Sequence, residues 1–425
     1  MSRPSRRLLA TCAALALAGL VPVIAASAAV ADNTWTLLAP LPEKLDAPGF
    51  ALAVSPTDSQ LVLAGTATGS IYRSRDGGQT WASVRRDAGH AVLSIAFNPG
   101  KPGAVLAGTR GGGVVRSADA GQTWTAQAGL EKSIGRSFGF AKTFTMIGTE
   151  QGVLTLKDSG LAPSAALSGI SVSALAVAAL NDPSKLLAGG DATRGTEPLP
   201  LFNSIDGGQS WNEVKGVATS SNMVSALAAY GGQMPPKADT RPVLLGTNTG
   251  VYSSVDNGGT WLQLTGGGAL PATDFNQVAF SAGHADRYYV ASDGGASDRG
   301  GVWSTTDNGA HFNPLRPPVA SVTALTLSSD EQPTLYVATF RAADHAVMLF
   351  SYRDTGGQPQ PLAQPLPSPS TAAAPRAAAG TAAGGWLTGL LAGPEAPYLA
   401  LGAAAVAVLV LAGFAYFRRG RSRRL

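Results

Sequence analysis

One cysteine stands among 425 residues, and that residue, Cys12, sits inside an apolar amino-terminal run. Past that run there is no thiol, so disulfides, Cys-ligated metals and thiol nucleophiles are excluded. Histidine is also scarce: the four present are scattered singly, and the sequence contains no His-Glu-x-x-His, no Gly-x-Ser-x-Gly and no phosphate loop. The chemistry those motifs support needs ligands or nucleophiles at fixed spacing. No metal and no cofactor is therefore expected. Charged residues reach only 14 %, while glycine reaches 52 residues. That balance suits many short strands joined by turns and offers nothing for helical domains.

What the chain does have is a motif that returns. Ser74 to Trp81, Ser117 to Trp124, Ser204 to Trp211 and Ser254 to Trp261 all read Ser-x-Asp-x-Gly-x-Thr/Ser-Trp, and an approach such as Gly246-Thr247-Asn248-Thr249-Gly250-Val251-Tyr252 precedes them. Asp76 and Asp119 are 43 residues apart, Asp206 and Asp256 are 50 apart, and the gap of 87 between Asp119 and Asp206 holds about two periods. Decayed copies fill the gaps. Asp158-Ser159-Gly160 keeps a core without its Ser and Trp, Thr305 to Phe312 around Asp307 substitutes Thr and Phe, and Asp354-Thr355-Gly356-Gly357 is a last remnant. Seven units follow from this count.

Each unit reads as four short strands. In the first, Phe50 to Val54, Leu61 to Ala64, Ser70 to Arg73 and Trp81 to Val84 are apolar or alternating runs separated by Pro, Gly and Asp turn signals. Four strands per repeat of this length make a propeller blade. The seventh unit stops after three strands, and Asn33-Thr34-Trp35-Thr36-Leu37-Leu38 looks like the missing fourth. The expected fold is all-β: a seven-bladed β-propeller of four-stranded blades over 32–356, with the amino-terminal strand closing the last blade.

These repeats resemble the Asp-box, or BNR, repeat of the sialidase superfamily and its relatives over roughly 33–356. In repeat style they look most like the photosystem II assembly and stability factors and like uncharacterised bacterial BNR proteins. The Asp-box residues are Asp76, Trp81, Asp119, Trp124, Asp206, Trp211, Asp256, Trp261 and Asp307. Their place on a tight turn between the third and fourth strands makes them structural: Gly supplies positive φ, Ser and Asp satisfy turn backbone, and Trp packs beside the neighbouring blade. The scaffold hosts many unrelated activities, so it does not fix function.

The two ends set the expected compartment. Residues 1–31 carry Arg3, Arg6 and Arg7, an apolar run from Leu8 to Ala26, and Ala29-Val30-Ala31 before Asp32, the pattern of a secretory signal peptide. Ser5-Arg6-Arg7-Leu8-Leu9 also permits twin-arginine export, with the general route preferred. Residues 398–417 contain no charge and are followed by a basic tail, 418–425, with five arginines. Twenty apolar residues span about 30 Å of hydrocarbon, and the arginines keep the tail in the cytoplasm. Residues 357–397, rich in Pro, Ala, Ser and Gly, read as an extended stalk. The expectation is a single-pass cell-membrane protein with its propeller outside. Taking the eight end arginines from 31 basic residues leaves 23 against 27 acids, so the exported part is net −4 although the chain is +4. No nucleic-acid partner is expected. Nothing in the sequence bears on the oligomeric state.

Ligand binding is expected on the face opposite the Asp boxes, where the second-to-third-strand and fourth-to-first-strand loops lie. Candidates there are Arg86, His90, Arg110, Arg136, Arg194, Arg299 and Arg341, with the longest insertions at 190–200, 293–301 and 341–346. Hydrolysis has weaker support. A sialidase would need an arginine cluster, a Tyr nucleophile paired with Glu and an Asp acid/base, but the Arg-Ile-Pro element is missing and Tyr230, Tyr288 and Tyr289 have no evident Glu partner. Xyloglucanase-type relatives use two propellers, and this chain has one. Glu150, Asp191 and Asp298 are the only acids worth naming as catalytic candidates. The reading is a membrane-anchored scaffold for a protein or glycan partner; the alternative is a membrane-tethered sialidase-like glycoside hydrolase.

Overall fold

A computed structural model of the chain describes residues 31–368 apart from 158, 165–166, 179–184, 192–198, 218, 233, 235–239, 272, 296–298 and 363–364. Seven antiparallel sheets of four strands make seven blades. Blade 1 comprises Phe50–Ser55, Asp58–Thr66, Ser70–Ser74 and Ala82–Arg86. Blades 2 to 6 repeat that meander over 92–126, 135–163, 171–213, 224–264 and 277–314. Blade 7 takes three strands from 322–353 and its outer strand, Trp35–Leu37, from the amino terminus, with Trp35 opposite Tyr352. The ring closes as the sequence implies.

Within each meander, the first-to-second and third-to-fourth turns share one face, called here the hairpin face. The other connections form the loop face. The repeated Ser-x-Asp turn lies on the hairpin face between the third and outer strands. Its geometry is local: the Ser74 hydroxyl donates to Asp76 Oδ1 at 2.7 Å and accepts the Gly78 amide at 2.7 Å, while Asp76 accepts the Thr80 amide at 2.9 Å and the Thr80 hydroxyl at 2.6 Å. Ser117–Asp119, Ser204–Asp206, Ser254–Asp256 and Thr305–Asp307 repeat the first of these bonds at 2.7, 2.8, 2.7 and 2.8 Å. One carboxylate thus satisfies turn amides that have no ladder partner.

The Gly-Thr approach has two jobs. A Cβ on Gly108 would stand 2.0 Å from the Gly135 carbonyl, and one on Gly246 would stand 2.3 Å from the Phe275 carbonyl, so only glycine lets the next blade come this close. The threonine then closes the second-to-third-strand turn: Thr109, Thr149 and Thr247 hydroxyls donate to the carbonyls of Gly113, Gly152 and Gly250 at 2.8, 2.9 and 2.9 Å.

Aromatic side chains fill six of the seven seams between blades. Trp81 packs on the cluster shared by blades 7 and 1, Trp124 on that of blades 1 and 2, Trp211 on blades 3 and 4, Trp261 on blades 4 and 5, and Phe312 on blades 5 and 6. Between blades 6 and 7 the filler is Trp35, whose indole N–H donates to the Leu315 carbonyl at 2.7 Å. Blade 7 therefore builds its turn from the first and last stretches of the ring. Asp354 and Thr355 come from the last and Thr34-Trp35 from the first, joined where the Asn33 amide donates to Thr355 Oγ1 at 2.7 Å and Asn33 Oδ1 accepts the Thr355 amide at 3.0 Å. Asp354 also accepts from the Tyr289 hydroxyl at 2.7 Å and pairs with Arg287 at 3.1 Å.

Beyond the expected boundary at 356 the chain stays on the ring. The Gln360 amide donates to the Asn33 carbonyl at 2.7 Å, Leu362 and Leu366 pack on the blade 6–7 cluster, and Arg341 Nη1 donates to the Pro367 carbonyl at 2.9 Å. Leu362 and Leu366 are apolar surface the cluster can cover, which is why this first part of the Pro-rich segment is not held away from blade 7. Among the described residues no helix is long and apolar enough to cross a membrane. The expected signal peptide up to residue 30, the stalk from 369, the span 398–417, the tail 418–425, and Asp158 all lie outside the described residues.

Candidate functional site

The first strands of all seven blades line a central channel of about 310 Å³. Bulges interrupt the pairing of several of these strands at Leu93, Arg136, Ser173, Ser225 and Thr323. A bulge turns its residue out of the ladder and re-aims the side chain. Among the described residues, four of the seven steps around the channel are stitched from one inner strand to the next. Ser94 donates to the Gly135 carbonyl at 3.2 Å, Ser137 to Val172 at 3.5 Å, Ser173 to Val224 at 2.7 Å and Asn276 to Val322 at 3.3 Å.

At the loop-face mouth two side-chain contacts are added, one at the blade 3–4 step and one at the blade 5–6 step. Arg136 reaches from blade 3 to blade 4, where it pairs with Asp191 at 2.8 Å and also donates to the Ser171 hydroxyl. In blade 5 the Ser225 hydroxyl donates at 2.9 Å not to backbone but to the carboxylate of Asp274, which enters blade 6. Burial pushes the Asp274 carboxyl above the usual carboxylate range; the Ser225 bond opposes this, and the charge of Asp293 adds to it. The mouth therefore presents polar groups from blades 3, 4, 5 and 6, three of them on strands and Asp274 in the segment that leads into one.

The expected loop-face residues divide. Arg136 and Asp191 are brought together. Arg86 instead reaches Glu43 at 3.5 Å, beside the Thr68 and Ser70 hydroxyls that donate to the same carboxylate at 3.0 Å each. His90 is held by Asp87 at 2.9 Å, and Asp87 also pairs with Arg85 at 2.9 Å. Arg341 forms a two-pronged pair with Asp344 at 2.8 and 2.7 Å. Arg110 and Arg299 are exposed, and Glu150 is half-buried on its turn. Arg194 and Asp298 lie outside the described residues.

Asp274 is the residue the sequence reading passed over. Its one signal is an acid just before the inner strand of a single blade, in Thr273-Asp274-Phe275, where no other unit has one. Among the described residues no group of three or more His, Cys, Asp or Glu side chains could hold a metal ion.

No family model matches the sequence, and no curated protein matches it. Solved structures do. YCF48 from Cyanidioschyzon merolae is 14 % identical over 75 % of this chain and 98 % of its own, with a TM-score of 0.51. A structure of YCF48 bound to D1 peptide is 15 % identical over 75 % of this chain and 97 % of that one, again at 0.51. The WD40 β-propeller domain of Doa1 is 13 % identical over 74 % and 95 %, at 0.53. At these identities the likeness is one of fold, and the fold it supports is the seven-bladed β-propeller with four-stranded blades.

Proposed function

We propose that the chain is an Asp-box propeller, exported, tethered to the cell membrane by 398–417, and acting as a binding scaffold for a protein partner at its loop face. The observation that carries this reading is the channel mouth, where side chains of four successive blades are tied in two pairs, Arg136 with Asp191 and Ser225 with Asp274. Its acids are already engaged, Asp191 by Arg136 and Asp274 by Ser225, so the mouth offers a fixed pattern of donors and acceptors rather than a pair of carboxylates poised across a substrate. The likeness to a propeller solved with a bound peptide supports a polypeptide ligand, and an assembly-factor-like role is the narrower form of the same proposal.

A membrane-tethered sialidase-like hydrolase is the second reading, and one observation favours it: a carboxyl with its pKa raised beside a second acid, Asp293. The two readings separate in one experiment. A photo-crosslinking side chain placed at Arg110 or Asp293 should trap one protein species in the native membrane, and Arg136→Glu should abolish the trap. The same preparation is offered fluorogenic sialosides and glucosides and a glycan array. Turnover lost in Asp274→Asn would replace the scaffold reading with the hydrolase; saturable glycan binding with no crosslinked protein would move the ligand to carbohydrate.

A further inference from the structure

One seam lacks its aromatic filler among the described residues. In blade 5, Ser253 faces Leu262, which sets Ser254 opposite Trp261; in blade 3, the position of that serine is Leu156, and it faces Leu161. Leu161 thus stands where the indole stands in other blades. It joins the cluster between blades 2 and 3 with Leu156, Phe140 and Phe138, all only partly buried. A leucine does not fill the space of a tryptophan, and at this seam a cleft of about 870 Å³ opens on the hairpin face and outer rim. A contiguous lobe of about 410 Å³ runs under Arg116 and Phe140.

The rim of that cleft is cationic. Lys101 stands at the first hairpin of blade 2, Arg116 at the end of its third strand, Lys142 at the first hairpin of blade 3, and Lys157 at the shortened third-to-fourth hairpin. All four are exposed, and no carboxylate among the described residues lines the cleft; Asp158, which follows Lys157, lies outside the described residues and leaves the cations in excess even when its charge is counted. The Lys157 ammonium lies 6.0 Å from the centre of the Phe144 ring. Four cations gather here on a domain whose charge outside its two end segments is −4. Such local reversal of sign concentrates an anionic ligand at the site and excludes cationic ones.

We propose that this cleft binds an acidic segment of a partner polypeptide, with carboxylates on Lys101, Arg116, Lys142 and Lys157 and an apolar side chain seated over Phe140 and Leu161. The shape selects a peptide over a lipid surface. A flat layer of headgroups would meet the rim alone, whereas the volume behind the rim is walled by apolar side chains that a protruding residue can cover. The site lies on the face opposite the channel mouth and does not depend on what binds there.

The test uses the full chain in a neutral detergent and a fluorescent dodecapeptide with four acidic residues flanking one phenylalanine. Its controls are the Asn/Gln version of that peptide and phosphatidylglycerol vesicles. The acidic peptide should bind at least about tenfold more tightly than the amide version, with affinity falling as salt rises. Leu161→Trp, which restores the indole, should weaken binding at least about tenfold while the melting temperature holds or rises. The double variant Lys142→Glu/Lys157→Glu changes exposed hairpin residues alone and should do the same. Equal affinity for both peptides, or affinity untouched by both variants, overturns the proposal. So does binding of the vesicles without the peptide. Loop-face crosslinks retained in Lys142→Glu/Lys157→Glu would keep the fate of this cleft separate from that of the channel mouth.

Discussion

At the scale of the residue, the repeated turn is a device for holding strained backbone with few atoms. The residue after each aspartate is left-handed: Gly77 at φ 66°, Ala120 at 57°, Gly207 at 74°, Asn257 at 61° and Asn308 at 58°. Glycine and asparagine tolerate this readily, whereas alanine adopts it only at a cost. The left-handed region costs an L-residue roughly 1–2 kcal/mol, and glycine's extra freedom in the unfolded chain takes back roughly 0.5–1 kcal/mol. Ala120→Gly should therefore stabilise the protein by about 0.5–1 kcal/mol, read as a higher denaturant midpoint with an unchanged slope. The aspartates set a pH limit. The Ser210 hydroxyl and amide hold the Asp206 carboxyl down from 3.8 to about 2, and the His311 amide and ring do the same for Asp307, again to about 2. A depressed folded pKa gives stability that is present above the unfolded value and lost as pH falls through the folded one. Melting temperature should hold above about pH 4 and fall between there and about pH 2. Asp206→Asn should melt below the parent near neutrality, with the gap narrowing toward about pH 2, because protonation removes the same charge from the parent; a constant gap would show that Asp206 acts by shape alone.

Elements were legible where their signals are local. Hairpins, Gly-Thr approaches and Ser-x-Asp turns each lie within a few residues, so blade count, strand order and the face carrying the turns follow from spacing. What joins blades is less local. Arg136 and Asp191 lie 55 positions apart, Ser225 and Asp274 lie 49 apart, and the split turn of blade 7 joins positions 322 apart. No window on the sequence pairs such residues; they meet because consecutive blades stack. The missing Trp of blade 3 was visible as an absence, but the cleft it leaves exists only once Leu156 and Leu161 are set in register. The split turn makes the outer strand of blade 7 a test of how the ring closes. Trp35 is 2 % exposed, and its ring lies 4.8 Å from that of Tyr352. Trp35→Ala should cost about 3–5 kcal/mol by transfer and cavity terms together. Trp81→Ala, at a seam where the indole is only partly buried, should cost less. Denaturant melts of the two variants compare them; equal losses would mean that the seam at Trp35 closes the ring no more tightly than any other.

The whole molecule poses the question of where the ring ends and the Pro-rich segment begins. Composition placed that boundary at 356, because 357–397 turns to Pro, Ala, Ser and Gly. Composition cannot see that two leucines within that stretch meet an apolar cluster, nor that Arg341 is aimed at its backbone. The Arg341 fork is fixed on Asp344 by two bonds, which leaves Nη1 directed to the Pro367 carbonyl. A chain cut after 368 keeps these contacts and should melt like the full chain. One cut after 356 loses Leu362, Leu366 and the Pro367 bond. A fully buried leucine is worth roughly 1.5–3 kcal/mol, and these two are partly buried, so the loss should be about 2 kcal/mol. For a domain of this size that is a melting temperature lower by about 2–5 °C. Both truncations lack 398–417, so on the proposed topology both should leave the membrane fraction in which the full chain remains. Calorimetry tests the packing of 357–368 and fractionation tests the proposed anchor: equal melting of the two truncations would return the boundary to 356, and a full chain found in the soluble fraction would remove the anchor from the proposed function while leaving the ring and its cleft as they stand.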